Sequence, residues 1–197
     1  MRFELFGTKI YVSFLFSATI CIMLATDRTG LVIPTLFASL IHEVGHLFSM
    51  WASDCAPKEI RLIPATVQII EDYPKSRKAS AWILLCGPLA NTAVFAALYI
   101  NSALTGSAAS LRFAIINAVV AAFNLMPVTG LDGGRLLVLL LLLRNDEYSA
   151  VRAVNIITAV FAAAAFTAGA FLAISGTANL SVFIVALYLA VCVIIKR

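Results

Sequence analysis

The sequence predicts an all-α polytopic membrane protein. It has six transmembrane helices, the fourth broken, and a short β-hairpin or edge segment between helices two and three. Three observations predict this. Of the 197 residues, 62% are apolar and 12% are charged, against about 45–50% and about 25% in a soluble globular domain. Apolar runs recur at the roughly 20 residues a bilayer-spanning helix needs. Lys and Arg gather in alternate gaps between those runs, as they do on the cytoplasmic side of a membrane. The composition excludes a soluble domain, a disordered chain and a nucleic-acid-binding module. The net charge of +4 then records loop orientation rather than a polyanion partner.

The first span is expected at about Ile10–Thr26, the second at Leu31–Ser53 and the third at Ala79–Ala103. The fourth starts near Leu111 and stays apolar to Met126. Pro127-Val128-Thr129-Gly130 interrupts it, and it resumes from Leu131 to Leu143. Arg152–Ile174 and Leu180–Ile195 give the fifth and sixth. The charges agree with this count. Arg2, Lys9, Lys58, Arg61, Lys75, Arg77, Lys78, Arg144, Arg152, Lys196 and Arg197 all fall on one side, and only Arg28 and Arg112 on the other. Both termini are therefore expected in the cytoplasm of a multi-pass protein of the cell membrane.

The whole chain, 1–197, reads as a single transmembrane domain. Its core is at about 31–143, with accessory helices at about 10–26, 152–174 and 180–195. Between spans two and three, Glu59–Ile63 alternates polar and apolar residues and Ala65–Ile70 is β-branched. That pattern fits a short hairpin beside the membrane; an irregular loop stays open, because short apolar runs are ambiguous. Cys21, Cys55, Cys86 and Cys192 lack metal-type spacing, and three of them lie in apolar runs. They imply neither a disulfide framework nor a redox site. The N-terminal apolar run is too long for a signal peptide, with no clear cleavage site after it.

The chain has two histidines, and both lie in His42-Glu43-Val44-Gly45-His46. Four residues apart on a helix, their imidazoles share one face one turn apart. Two such nitrogens can bind one Zn²⁺, with Glu43 beside the metal as the base that takes a proton from water. The motif sits inside an apolar span, where each ionisable side chain is costly. A hydrogen-bonded polar patch between helices is the bland alternative.

A catalytic zinc usually has three protein ligands. With no third histidine, the third must be a carboxylate or a thiolate. Glu43 and Asp132 are the acidic residues inside the expected spans, so Asp132 is the leading candidate. It restarts the broken span. Pro127 disfavours helix before it, while Gly130, Gly133 and Gly134 permit unusual backbone and close approach. Asp132 could instead cap the second half-helix or pair with Arg135. From His46 to Ser53 is about 10 Å of helix and from Asp132 to Leu143 about 17 Å. Both run toward the cytoplasmic face, which puts the metal in the cytoplasmic half of the bilayer.

Three ordered motifs resemble the site-2 protease family of intramembrane zinc metalloproteases. They are His42 to His46, Gly87-Pro88-Leu89-Ala90-Asn91, and Asn124 to Arg135 with its Leu131-Asp132-Gly133-Gly134 core. Their order and spacing are similar to the compact bacterial branch that includes the stage IV sporulation protein FB. The resemblance covers about Lys9–Leu143. It implies one Zn²⁺ per chain held by His42, His46 and Asp132, with Glu43 as catalytic base. It also implies cleavage of a peptide bond in or near a membrane segment of a protein substrate.

The resemblance further implies that Asn91 and Asn124 bind substrate or the developing oxyanion, a role suited to amide N–H groups. Helix–helix hydrogen bonding is the other reading of both. The strand-like 59–71 segment matches an extended edge to which an unwound substrate adds as a strand. The chain departs from its relatives in lacking a PDZ insertion and a CBS domain after Arg197, and in carrying Gly130 where proline is common. A regulatory membrane partner and self-association remain open. A metal-ion transporter and an inactive membrane scaffold are the competing functions; polar residues clustered in one half of the span and an intact Glu43 argue against them.

Overall fold

The computed structural model describes residues 2–5, 8–55, 57–63, 66–71 and 76–174. The chain divides into two units, 1–122 and 123–197. The first holds β1 (Arg2–Leu5), β2 (Thr8–Val12), α1 (Phe14–Thr26), α2 (Val32–Ala52), β3 (Pro57–Ile63), β4 (Thr66–Glu71), α3 (Arg77–Thr105) and most of α4 (Ala108–Asn124). The second holds the end of α4, then α5 (Asp132–Leu141) and α6 (Glu147–Ile174).

The expected hairpin is present as β3 and β4, antiparallel with Arg61 opposite Gln68 and Leu62 opposite Val67. It is half of a larger sheet. The order is β1-β2-β3-β4, with β1 antiparallel to β2 and β2 parallel to β3. The all-α expectation is corrected accordingly: the chain is mostly helical and carries a four-stranded mixed sheet. The first span is corrected with it. Ile10, Tyr11 and Val12 belong to β2, so the helix begins at Phe14 and has 13 residues. The physical reason is pairing: Ile10 lies opposite Ile60 and Val12 opposite Leu62. Ser13 then donates its backbone N–H to Leu62 O at 2.9 Å as the chain turns into α1.

Three helices among the described residues are long and apolar enough to cross a membrane: α2, α3 and the 147–172 stretch of α6. α1 and α4 are apolar but shorter. The sixth expected span, Leu180–Ile195, lies outside the described residues. The 21 residues of α2 rise about 32 Å, close to the roughly 30 Å hydrocarbon core of a bilayer. α2 has two unlike faces. Ala38, His42, Gly45, His46, Ser49 and Met50 are buried, at the i, i+4, i+7 spacing of one stripe. Leu40, Val44, Phe48 and Trp51 are exposed, as large apolar side chains facing lipid would be.

Between α1 and α2 the chain turns on Asp27. Its Oδ1 accepts from the Thr29 and Gly30 N–H groups, each at 2.9 Å, and from the Thr29 hydroxyl at 2.8 Å; its Oδ2 accepts from Val32 N–H at 3.0 Å. These donors, Val32 first, hold the Asp27 carboxyl down at about 2. The carboxylate serves the orphan N–H at the start of α2. α3 begins at Ser76, whose hydroxyl accepts from Ala79 N–H at 3.2 Å, and ends at Gly106 in the left-handed region, φ 70°.

In the second unit, α4 ends at Asn124 and α5 starts at Asp132, so the predicted break in the fourth span is real. The loop between them is anchored on α6. Thr129 N–H donates to the Thr158 hydroxyl at 2.8 Å, and the Thr129 hydroxyl donates to Asn155 Oδ1 at 2.7 Å. The Thr158 hydroxyl in turn donates to Val154 O at 2.8 Å. Val128, Val154 and Thr158 are fully buried around this point.

Candidate metal centre

In the first unit the two histidines lie as the helical spacing requires. Both are buried. Their Nε2 atoms are 3.1 Å apart, with the rings edge to face at an interplanar angle of 86°. The other ring nitrogens each meet an acceptor on α3. His46 Nδ1 is 2.8 Å from Ile83 O, and His42 Nδ1 is 3.0 Å from Asn91 Oδ1.

The tautomers follow from the acceptors. A backbone carbonyl only accepts, so His46 carries its proton on Nδ1. For His42 the argument runs through Asn91. The Asn91 amide nitrogen is 2.9 Å from Ala38 O and 2.9 Å from Asn117 Oδ1. Asn117 is itself oriented, because its amide nitrogen donates to Phe113 O at 2.9 Å. Both Asn91 N–H groups therefore donate to oxygens, and its Oδ1 accepts from the Nδ1–H of His42. Both Nε2 atoms then bear lone pairs, 3.1 Å apart. Two nitrogens bound to one tetrahedral zinc at about 2.0–2.1 Å would be about 3.3 Å apart. A second partner that accepts the other ring N–H is the usual way a ligating histidine is oriented. The pair fits a metal ion.

Two glycines bring α2 and α3 this close. A Cβ on Gly45 would meet Cys86 O at 2.6 Å and Ala90 Cβ at 2.9 Å; a Cβ on Gly87 would meet His46 Cε1 at 2.6 Å and His42 Cε1 at 2.9 Å. No side chain fits at either crossing point, which is how small residues let membrane helices approach. Pro88 follows inside α3. It donates no N–H to the carbonyl four residues before it, that of Leu84, which neighbours the Ile83 carbonyl that His46 uses. Met50, Cys55, Ile83 and Leu47 pack as an apolar cluster beside that carbonyl. Glu43 is half-buried on α2, one residue from His42.

In the second unit Asp132 is the first helical residue of α5, half-buried, with Leu131 as the residue before it in extended backbone. Asp132 is therefore not the cap of that helix. Its place is set by Gly133 and Gly134. A Cβ on Gly133 would collide with the Leu125 carbonyl and lie 2.6 Å from Met126 O; one on Gly134 would collide with the Val128 carbonyl. The loop backbone thus lies directly on the first turn of α5. Gly130, at φ 100°, takes a conformation that glycine adopts readily. Asn124 is half-buried at the end of α4.

Within the first unit, then, His42, His46 and Asn91 are brought together, with Glu43 alongside. Asp132 and Asn124 belong to the second unit. Sequence reasoning missed Asn117, which is fully buried. Its signal was available, an isolated amide in the apolar run of α4. It also missed Thr158 and Asn155, whose small polar side chains in α6 carry no pattern of their own.

No family model and no curated protein matches this chain. Among solved structures it is similar to the site-2 protease from Methanocaldococcus jannaschii. The two are 21% identical, with a TM-score of 0.73, over 98% of this chain and 93% of that one. The fold implied by the three sequence motifs is the fold found, and the chain has the architecture of that site-2 protease.

Proposed function

We propose that this chain is a zinc-dependent intramembrane endopeptidase of the site-2 protease family. The observation that carries the reading is the buried histidine pair, with both Nδ1 atoms bonded to acceptors and the two Nε2 atoms 3.1 Å apart. The fold likeness supports it. His42, His46 and Asp132 are the donors that would hold the metal, and the imidazole and carboxylate set suits one Zn²⁺. When bound, the metal supplies Lewis-acid polarisation of a peptide carbonyl and lowers the pKa of water.

The chain's own groups do the rest. Glu43, beside His42, accepts the proton of the attacking water and returns it to the leaving amine. Asn124 offers amide N–H groups to the charge that develops on the carbonyl oxygen. The substrate is a membrane-associated protein cut in or near its transmembrane segment. β4 is a terminal strand of the sheet, and an unwound substrate added to it would be held extended. The enzyme works in the lipid bilayer of the cell membrane as a multi-pass protein. Both termini are cytoplasmic, the site lies in the cytoplasmic half, and no nucleic acid takes part.

The test uses the full chain purified in detergent, metal analysis and a membrane-tethered reporter substrate. Wild type is expected to hold zinc and cleave. Glu43→Gln is expected to keep the metal and lose about 10²–10⁴-fold in rate, and Asp132→Ala to lower zinc content. Undiminished cleavage by purified Glu43→Gln overturns the reading.

A further inference from the structure

We propose that Asn91 and Asn117 are positioning residues that fix the tautomer and direction of the His42 ring, and that Asn91 is not a substrate-binding group. The inference rests on the metal reading of His42 and deepens it. Every hydrogen-bonding hydrogen of the Asn91 amide is already committed. One N–H goes to Ala38 O and the other to Asn117 Oδ1, each at 2.9 Å, while Oδ1 takes the His42 Nδ1 proton at 3.0 Å. Asn91 is fully buried. An oxyanion needs a donor, and this amide has none left to give.

The relay has one direction only. Phe113 O orients Asn117, Asn117 Oδ1 and Ala38 O orient Asn91, and Asn91 orients His42. Reversing any amide would set donor against donor or acceptor against acceptor. Ala38 is one helical turn before His42 on α2. Asn91 therefore grips the ring and the preceding backbone turn together, and the ring cannot turn without breaking its bond to Asn91 Oδ1. The Nδ1 of His46 meets instead a backbone carbonyl, that of Ile83. The two ligands are thus held by separate devices, and a change at Asn91 reaches one of them.

The experiment uses the full chain in lipid nanodiscs with ¹⁵N-labelled histidine, first metal-free and then titrated with zinc. The sequence has two histidines, so the imidazole nitrogens of both can be followed. Metal-free wild type is expected to hold both rings as the Nδ1–H tautomer. In Asn91→Leu, His42 is expected to lose its fixed tautomer while His46 keeps its own, and the zinc Kd is expected to rise about 10–100-fold. Asn117→Ala, one bond further from the ring, should move the His42 signals and the zinc Kd in the same direction by less, and it decides the matter should Asn91→Leu not fold. Folded variants with wild-type ring signals and wild-type zinc affinity overturn the proposal. Zinc that moves neither imidazole of the wild type overturns the metal reading instead, because the tautomer is read without metal.

Discussion

The first unit holds its candidate ligands by side-chain hydrogen bonds, and the second holds its candidate ligand by backbone. His42 and His46 project from an unbroken helix, and their directions are set by Asn91 Oδ1 and Ile83 O. Asp132 projects from the start of a broken one, and its place is set by the 125–129 backbone resting on Gly133 and Gly134. The difference reflects what each ligand needs. An imidazole has two nitrogens, and one must be protonated and anchored for the other to point its lone pair. A carboxylate accepts through either oxygen and needs only to be delivered to the right place. The first arrangement is open to graded change through polar substitutions. The second tolerates almost none, because a Cβ would meet main chain.

Four substitutions would break or sharpen that contrast. Gly133→Ala is expected to have the largest effect, since its Cβ would enter the Leu125 carbonyl. Overpacking against backbone costs about 1–3 kcal/mol or more. A large fall in thermal stability with loss of zinc is expected in calorimetry and metal analysis, and a wild-type melt would show that the loop gives way. Gly87→Ala comes next. Its new Cβ meets imidazole carbons at 2.6 and 2.9 Å, and side chains yield more readily than main chain. Zinc affinity should fall with a smaller loss of stability.

Thr158→Val tests the loop anchor. It removes the hydroxyl that accepts from buried Thr129 N–H at 2.8 Å, and an unsatisfied buried donor costs about 1–3 kcal/mol. Stability should drop by that order, while the ¹⁵N signals of both histidines in metal-free protein stay unchanged. Movement of those signals would erase the distinction between the two devices. Asp27→Asn should be smallest. The Asp27 carboxyl is held below its ordinary 3.8 at about 2, so the ionised form stabilises the folded chain. That contribution is complete above the ordinary value and fades as pH falls through about 2. The variant should melt slightly below wild type near neutrality, and the gap should close toward pH 2.

Much of the site was legible because its signals are local. His42 and His46 are one helical turn apart in the sequence itself, and the Pro127–Gly134 stretch announces a break in any apolar run. What stayed hidden depends on partners distant in the chain. Asn91 stood out as an amide in an apolar helix, but its bonds to His42 and to Ala38 O exist only because α2 and α3 approach closely at Gly45 and Gly87. The β-character of 59–71 was visible as alternation. Its parallel neighbour was not, because Ile10–Val12 runs without interruption into the apolar α1. Hydropathy merged a strand and a helix that hydrogen bonding separates.

That parallel pairing has a consequence for how the chain is threaded. β2 and β3 are hydrogen-bonded along Lys9–Val12 and Glu59–Leu62, so both lie on one side of whatever α1 and α2 traverse. The number of crossings between them must then be even. α2 is long enough for a full crossing, and a full crossing obliges α1 to make the opposite one, although its 13 residues rise only about 20 Å. The parallel pairing thus dictates the parity of any crossings that α1 and α2 make. A crossing by the shorter helix would need a thinner membrane or added length from the flanking chain.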